Sequence, residues 1–355
     1  MQIPNSIENI LANIQPTDRT AYDACIERFD FVAKPVGSLG KLETLLARVA
    51  AIEGSAEVDI AKKCVLTFCA DNGVVAQGVA QCGSEVTTAI ARMLAWGKAS
   101  VCVMARNAGA DAFPIDIGMV DTVGGLIDHK LMHGTGDITQ GPAMTREMAL
   151  TAMQIGMDMV REKKDQGYAL IATGEAGIGN STTSSAIASV LLRCPAIDVT
   201  GRGAGLSDDG LIRKRDAIEK AIKVNEPDPD DALDVLAKLG GLDIAAMAGM
   251  FIGGAYYQIP VVMDGLISSV AALVAVRLCD TIREYILPSH ISAEPAGRLI
   301  CEALGFEPVL HADMRLGEGT GAVALFPLLD LAAAVYTQAA TFADIAVDEY
   351  KRDPC

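Results

Sequence analysis

Tyr168-Ala-Leu-Ile-Ala-Thr173 runs without a break into Gly174-Glu-Ala-Gly-Ile-Gly-Asn-Ser-Thr-Thr183, and this junction decides the fold. The first six residues form a short continuous apolar run, as a strand buried on both faces requires. The next ten supply three glycines and then amide and hydroxyl side chains, at the point where a helix must begin. A strand leading directly into a glycine-rich turn and a helix is the repeating unit of a parallel sheet. Free backbone N–H groups and hydroxyls at such a helix start suit a phosphate. Glycines at 174, 177 and 179 lack the G-x-G-x-x-G spacing, so a dinucleotide fingerprint fits poorly and a single phosphate fits better.

Outward from this junction the pattern recurs. Lys63-Cys-Val-Leu-Thr-Phe-Cys-Ala70 reads as a buried strand ending in the turn Asp71-Asn72-Gly73-Val74. Val101-Cys-Val-Met-Ala105 and Ala112-Phe-Pro-Ile-Asp-Ile117 are further strand candidates. Toward the C-terminus, Ile197-Asp-Val-Thr200 leads into Gly201-Arg-Gly-Ala-Gly-Leu206, Val261-Val-Met263 precedes Asp264-Gly265, and Pro308-Val-Leu-His-Ala-Asp313 is the last strand candidate. Apolar spacing predicts helices over 5–30, from near Gly40 (capped by Ser38) to Gly54, from Ser84 to Gly97, and from Thr145 to about Lys164. Others are expected to Leu192, over 208–224 and 230–239, over 243–257 (apolar nearly all round), and over 266–286. Alternating strands and helices imply an α/β fold, a parallel sheet with helices on both faces, whose ligands bind beyond the carboxyl ends of the strands. Five polar or glycine-rich loops fall at such ends (71–74, 174–183, 200–206, 289–297 and 317–321), and they are expected to converge on one crevice.

Composition agrees with that class. Of 355 residues, 51% are hydrophobic and only 5% aromatic, with 34 glycines, as expected for alanine- and valine-rich helices packed on a parallel sheet. A net charge of -16 argues against nucleic-acid and anionic-membrane surfaces, which would repel the protein, so a bound phosphate must be held locally. Nine cysteines lie scattered, mostly inside apolar runs, with no Cys-x-x-Cys pair. They read as reduced core thiols rather than a metal site. The N-terminus has no basic region followed by an apolar one, and the apolar stretches 266–279 and 321–336 are too short for a span or are broken by Pro327 and Asp330, so a soluble cytoplasmic protein is expected.

Met314-Arg-Leu-Gly-Glu-Gly-Thr-Gly-Ala322 sets a single carboxylate, Glu318, among three glycines before a long apolar helix. Bare backbone lets a substrate approach closely. On shape alone, a catalytic carboxylate and an acid favoured by a helix N-terminus fit equally. Lys214, on the helix after Gly205, could reach the crevice to neutralise phosphate, although its neighbours Arg213 and Arg215 also suit an ordinary solvated face. The four histidines, at 129, 133, 290 and 311, form no short-range metal pair and read as structural.

Five motifs together carry a resemblance: Lys34-Pro-Val-Gly-Ser-Leu-Gly-Lys-Leu-Glu43, Asp71-Asn-Gly-Val74, 174–183 as quoted, Ser289-His-Ile-Ser-Ala-Glu294 and Arg315-Leu-Gly-Glu-Gly-Thr-Gly321. In this order, over nearly the whole chain, they resemble the nicotinate-nucleotide:dimethylbenzimidazole phosphoribosyltransferase family. The resemblance implies a Rossmann-like parallel sheet in a large nucleotide-binding domain (56–334) and a small helical domain made from both chain ends (1–55 with 335–355). It implies transfer of the phosphoribosyl group of nicotinate mononucleotide to an aromatic base, releasing nicotinate. Glu318 matches the family's catalytic glutamate, a general base on the incoming acceptor. Glu175, Gly177, Gly179, Asn180, Ser181, Lys214, Ser292, Gly319 and Thr320 are implied for nucleotide and phosphate, and Ala80, Gln81, Glu85, Ala176 and Leu316 for the base pocket. No metal and no cofactor is called for. A homodimer is implied, or a heterodimer with a paralogue. The segment Ala80-Gln-Cys-Gly83 departs from the family's serine, aromatic and proline there, which leaves a benzimidazole or a phenol-type acceptor open, along with a subunit that depends on a paralogue for turnover.

Overall fold

The computed structural model describes residues 7–350. Six strands form one sheet: β1 (Lys63–Ala70), β2 (Ala110–Gly118), β3 (Ile127–Asp128), β4 (Leu170–Ala176), β5 (Val261–Met263) and β6 (Ile286–Pro288). Their order is β3-β2-β1-β4-β5-β6, and every neighbouring pair is parallel. β1 and β4 are buried along their whole length. Alternate residues feed two apolar clusters, with Cys64, Leu66 and Phe68 in one and Val65 and Cys69 in the other. A strand with two cores to fill reads as a continuous apolar run because neither face can be polar.

On one face, helix Leu242–Tyr257 packs most closely on Arg146–Asp165. A side chain at Gly156 or Gly249 would bring its Cβ within 1.9 Å of a carbonyl oxygen on the opposite helix, so the backbones approach as only glycine permits. The other face carries Glu85–Ala95, Ser100–Asn107 and Thr320–Gln338. That last helix is long and apolar enough to cross a membrane by length and composition, but half of its most apolar window is buried against the protein. It packs on β4 and on Lys41–Glu53. The two ends of the chain meet there. The Phe29 and Tyr336 rings lie 4.8 Å apart, Val32 bridges Thr341, and Phe342 N–H donates to Phe31 O at 3.1 Å. Residues 1–6 and 351–355 of the expected terminal unit lie outside the described range.

Several expected elements differ. Val101–Ala105 is part of helix Ser100–Asn107: Val101, Cys102 and Ala105 are buried while Val103 is exposed, a helical face that five apolar residues could not distinguish from a strand. Pro308–Asp313 makes one parallel bridge, Leu310 with His290, rather than a strand. Ile197–Thr200 falls in the short helix Ala196–Val199 and its cap. The helix expected over 266–286 ends at Leu278; the polar Asp280–Tyr285 follows as a 3-10 turn, and the apolar Ile286–Pro288 forms β6. The helix expected over 5–30 is two, Ile7–Ala12 and Arg19–Phe31, the second capped by Asp18. Ser38 does not cap Lys41–Glu53; Glu43 reaches back to accept from Leu39 N–H at 2.9 Å and pairs with Lys34 at 2.8 Å.

Candidate functional site

Beyond the carboxyl ends of β4 and β5 lies a cavity of about 350 Å³, lined from 79–82, 175–181, 202–204, 264–268, 290–294 and 315–318. Four of the five expected loops contribute. The fifth, 71–74, sits beneath, where Asn72 Nδ2 donates to Ile178 O at 3.3 Å, and the loop after β5 lines the space in its place.

Glu318 stands at one end in the left-handed region, φ +62°. That conformation costs a non-glycine residue about 1–2 kcal/mol. It is held from both sides: its N–H donates to Glu175 O at 3.2 Å, and its carbonyl accepts from Thr67 Oγ1 at 3.1 Å. Its carboxylate accepts from Val101 N–H at 3.2 Å, in the first turn of Ser100–Asn107. Burial raises the Glu318 pKa, the Val101 N–H opposes that, and the charge of Asp264 adds to it. The acid is thus at the start of a helix, as one expectation had it, yet of a helix distant in sequence, and it faces a cavity.

Glu175 ends β4. Asn180 Nδ2 donates to its carboxylate and, at 2.9 Å, to Asp243. Burial, then the neighbouring Asp243, pushes Glu175 up to about 8; burial pushes Asp243 itself to about 6. Asp264 follows β5, buried, with His290 Nδ1 4.0 Å from its Oδ1. Burial raises its pKa and the His290 charge opposes. Such a crowd of carboxyls cannot all be ionised without cost.

At the other end, Gly179 (φ +94°) caps helix Asn180–Leu191, presenting Asn180 and Ser181. Lys214 is fully buried one layer beneath: its Nζ donates to Ser181 Oγ at 2.9 Å and to Gly201 O at 3.1 Å. Burial lowers its pKa to about 8, against the pull of Glu294. Glu294 in turn accepts from Gly203 N–H at 3.0 Å, which fixes the 201–203 turn over the lysine. Ser292 lines the cavity.

Ala80, Gln81, Ala176 and Leu316 line the space between the two ends, with Cys82, Val86 and Ile90 beside them. Gln81 Nε2 donates to Gly205 O. Glu85 lies outside the lining, because its carboxylate turns back to accept from Gly83 N–H at 3.0 Å. Gly319 and Thr320 also lie outside it: Gly319 N–H is given to Asp264 and Thr320 Oγ1 to Gly317 O. Sequence reasoning missed Asp243, Asp264 and His290. A polar residue directly after an apolar strand was the available signal for Asp264, and the loop 289–297 was the signal for His290, although the histidine itself read as structural; no pattern distinguished Asp243. Among the described residues no group of three or more His, Cys, Asp or Glu side chains is placed to hold a metal.

A family model described as phosphoribosyltransferase, DBI_PRT, matches residues 14–347. A protein of Acetivibrio thermocellus named nicotinate-nucleotide–dimethylbenzimidazole phosphoribosyltransferase is 44% identical over 331 residues, 93% of this chain and 94% of that protein. One of the same name from Geobacter metallireducens is 44% identical over 342 residues, 96% and 97% of the two chains. Among solved structures, CobT from Thermus thermophilus shares the fold with a TM-score of 0.87 at 35% identity, over 93% of this chain and 99% of that one.

Proposed function

Since the chain belongs to this phosphoribosyltransferase family, we propose that it moves the phosphoribosyl group of nicotinate mononucleotide to 5,6-dimethylbenzimidazole or a related aromatic base, releasing nicotinate and forming the α-riboside phosphate used in cobamide assembly. The observation that carries this reading is Glu318, which shares the cavity lining with Glu175, Asp264 and Glu294 but alone among them sits on a left-handed glycine turn, opposite an end built from glycine turns over a buried lysine. Glu175, Gly177, Gly179, Asn180, Ser181, Lys214 and Ser292 hold nucleotide and phosphate, Lys214 acting through Ser181 and the 201–203 turn. Ala80, Gln81, Ala176 and Leu316 flank the acceptor.

In this scheme a ring nitrogen of the acceptor attacks the ribose carbon that bears nicotinate, on the opposite face. The acceptor's proton passes to Glu318 as the new bond forms. Burial, by raising the Glu318 pKa, makes it a better proton acceptor while leaving it ionisable. Nicotinate departs from a pyridinium, so its nitrogen leaves neutral and needs no acid. One carboxylate suffices.

Incubating the purified protein with nicotinate mononucleotide and dimethylbenzimidazole, with phenol in parallel, tests the reading. Nicotinate release is expected with the benzimidazole; no release with any aromatic acceptor sinks it. A cytoplasmic homodimer completes the proposal, supported by the resemblance and by large apolar side chains left outside, such as Trp96 at 67% exposure. A monomer mass by light scattering contradicts it.

A further inference from the structure

Resting on the reading of Glu318 as the base, we propose that Asp264 is a positioning residue for it: Asp264 seats the Gly317–Ala322 turn so that the Glu318 carboxylate meets the incoming acceptor. Asp264 follows the carboxyl end of β5, and its own backbone is anchored. Its N–H donates to Thr173 Oγ1 at 3.3 Å and Ser268 Oγ at 3.1 Å, tying it to β4 and to helix Leu266–Leu278. Its buried side chain then reaches across. Oδ2 accepts from Gly319 N–H at 3.2 Å and Oδ1 from Ala322 N–H at 3.0 Å.

These donors belong to the first turn of Thr320–Gln338, where N–H groups have no partner within the helix. The residue at the cap position, Gly319, has no side chain to supply one. A carboxylate from another strand does so, at a helix start whose dipole favours negative charge. Gly319 N–H is also the next amide after Glu318. The grip of Asp264, with the Glu175 carbonyl and the Thr67 hydroxyl, therefore fixes the left-handed conformation that aims the base. The seat is close-fitting. A Cβ at Gly174 would lie 2.3 Å from Glu318 O, and one at Gly321 would lie 2.0 Å from His290 Nδ1.

The groups around it are mostly acidic. His290, with Nδ1 4.0 Å from Asp264 Oδ1, is the one basic side chain within ion-pair distance of it among the described residues, and Glu175 and Glu318 are the other ionisable groups that face it. Glu318 is faced by Asp264, Glu175 and the Cys102 thiol. A carboxylate that only capped the helix would affect stability. One that also aims Glu318 and sets its field affects the rate and its pH dependence.

The test compares single-turnover nicotinate release and nucleotide binding in wild type, Asp264→Asn and Asp264→Glu, with Glu318→Gln alongside. Both Asp264 variants are expected to bind nucleotide within a few-fold of wild type and to release nicotinate roughly ten- to a hundredfold more slowly, the loss that a misplacement of about 1 Å brings. In Asp264→Asn the repelling charge is gone, Glu318 ionises more readily, and the acid limb of the rate profile moves to lower pH. In Asp264→Glu the charge remains and the limb stays. A folded Asp264→Asn with the wild-type rate, with a slow rate but an unmoved limb, or with a loss explained wholly by nucleotide binding, overturns the proposal. If that variant does not fold, a wild-type rate in Asp264→Glu overturns it, and a slow rate with retained nucleotide binding supports it. An active Glu318→Gln removes the base reading itself, whatever Asp264 does.

Discussion

Glu318 and Lys214 mark the two ends of one cavity and are held in opposite ways. Glu318 rides on a glycine turn in a left-handed conformation, with its carboxylate facing the open space. Lys214 sits on a regular helix, wholly buried, its ammonium given to Ser181 and to the Gly201 carbonyl. Backbone strain is found where the direction of one carboxylate matters. At the other end the left-handed positions fall to glycines, Gly179 and Gly203, which adopt them without strain, and a fixed charge lies beneath the turn. On the proposed reading, the difference separates a group that acts on bond making from one that acts on binding.

The sharpest break of that comparison is at Glu318. Glu318→Gln keeps size and hydrogen bonding but removes the base, so kcat is expected to fall about 10²- to 10⁴-fold with nucleotide affinity nearly unchanged. Affinity lost together with rate would make the two ends alike. Lys214→Met comes next. Removing a charge-assisted contact worth about 1.5–3 kcal/mol weakens nucleotide binding roughly ten- to a hundredfold, while kcat at saturation changes far less. Steady-state KM and kcat for the nucleotide decide this, and a fall in kcat with unchanged KM contradicts it.

A smaller effect concerns stability and pH. Glu175 titrates near 8 when folded against an ordinary value of 4.5. Between those values the folded state binds more protons than the unfolded one, so stability declines as pH rises through the window. Urea melts from pH 5 to 8 are expected to show the decline in wild type and a flatter profile in Glu175→Gln. Equal slopes would mean that Glu175 is ionised throughout. The smallest effect lies away from the cavity. Gly54, at φ +68° with open space around it, ends helix Lys41–Glu53, and Gly54→Ala costs about 1 kcal/mol by thermal melting with unchanged kcat.

What could be read in the sequence follows the same physics. β1 and β4 were legible because two cores keep most of their side chains apolar, and the 174–183 junction because strand, glycines and helix adjoin. Gly174, Glu175 and Ala176 nonetheless belong to the strand, since parallel pairing with β1 continues past the first glycine. Val101–Ala105 reads as a strand because five apolar residues suit a buried helical face as well as a strand. The burial of Lys214 could not be seen beside Arg213 and Arg215, because a helix turns adjacent charges to different faces. Asp243 and Asp264 come from two separate segments, and only the fold brings them to the loop that carries His290. The family resemblance pointed to Glu318 as the base; the carboxylates and glycine contacts around it are visible only in three dimensions.

The central claim is that a single carboxylate, with no second group forming a covalent bond to the sugar, carries the transfer by direct attack. Proton NMR of the riboside phosphate made from nicotinate mononucleotide measures this at the anomeric carbon. Inversion, with only the α anomer present, is the result predicted. A β product or a mixture of anomers would contradict direct displacement and the role assigned to Glu318.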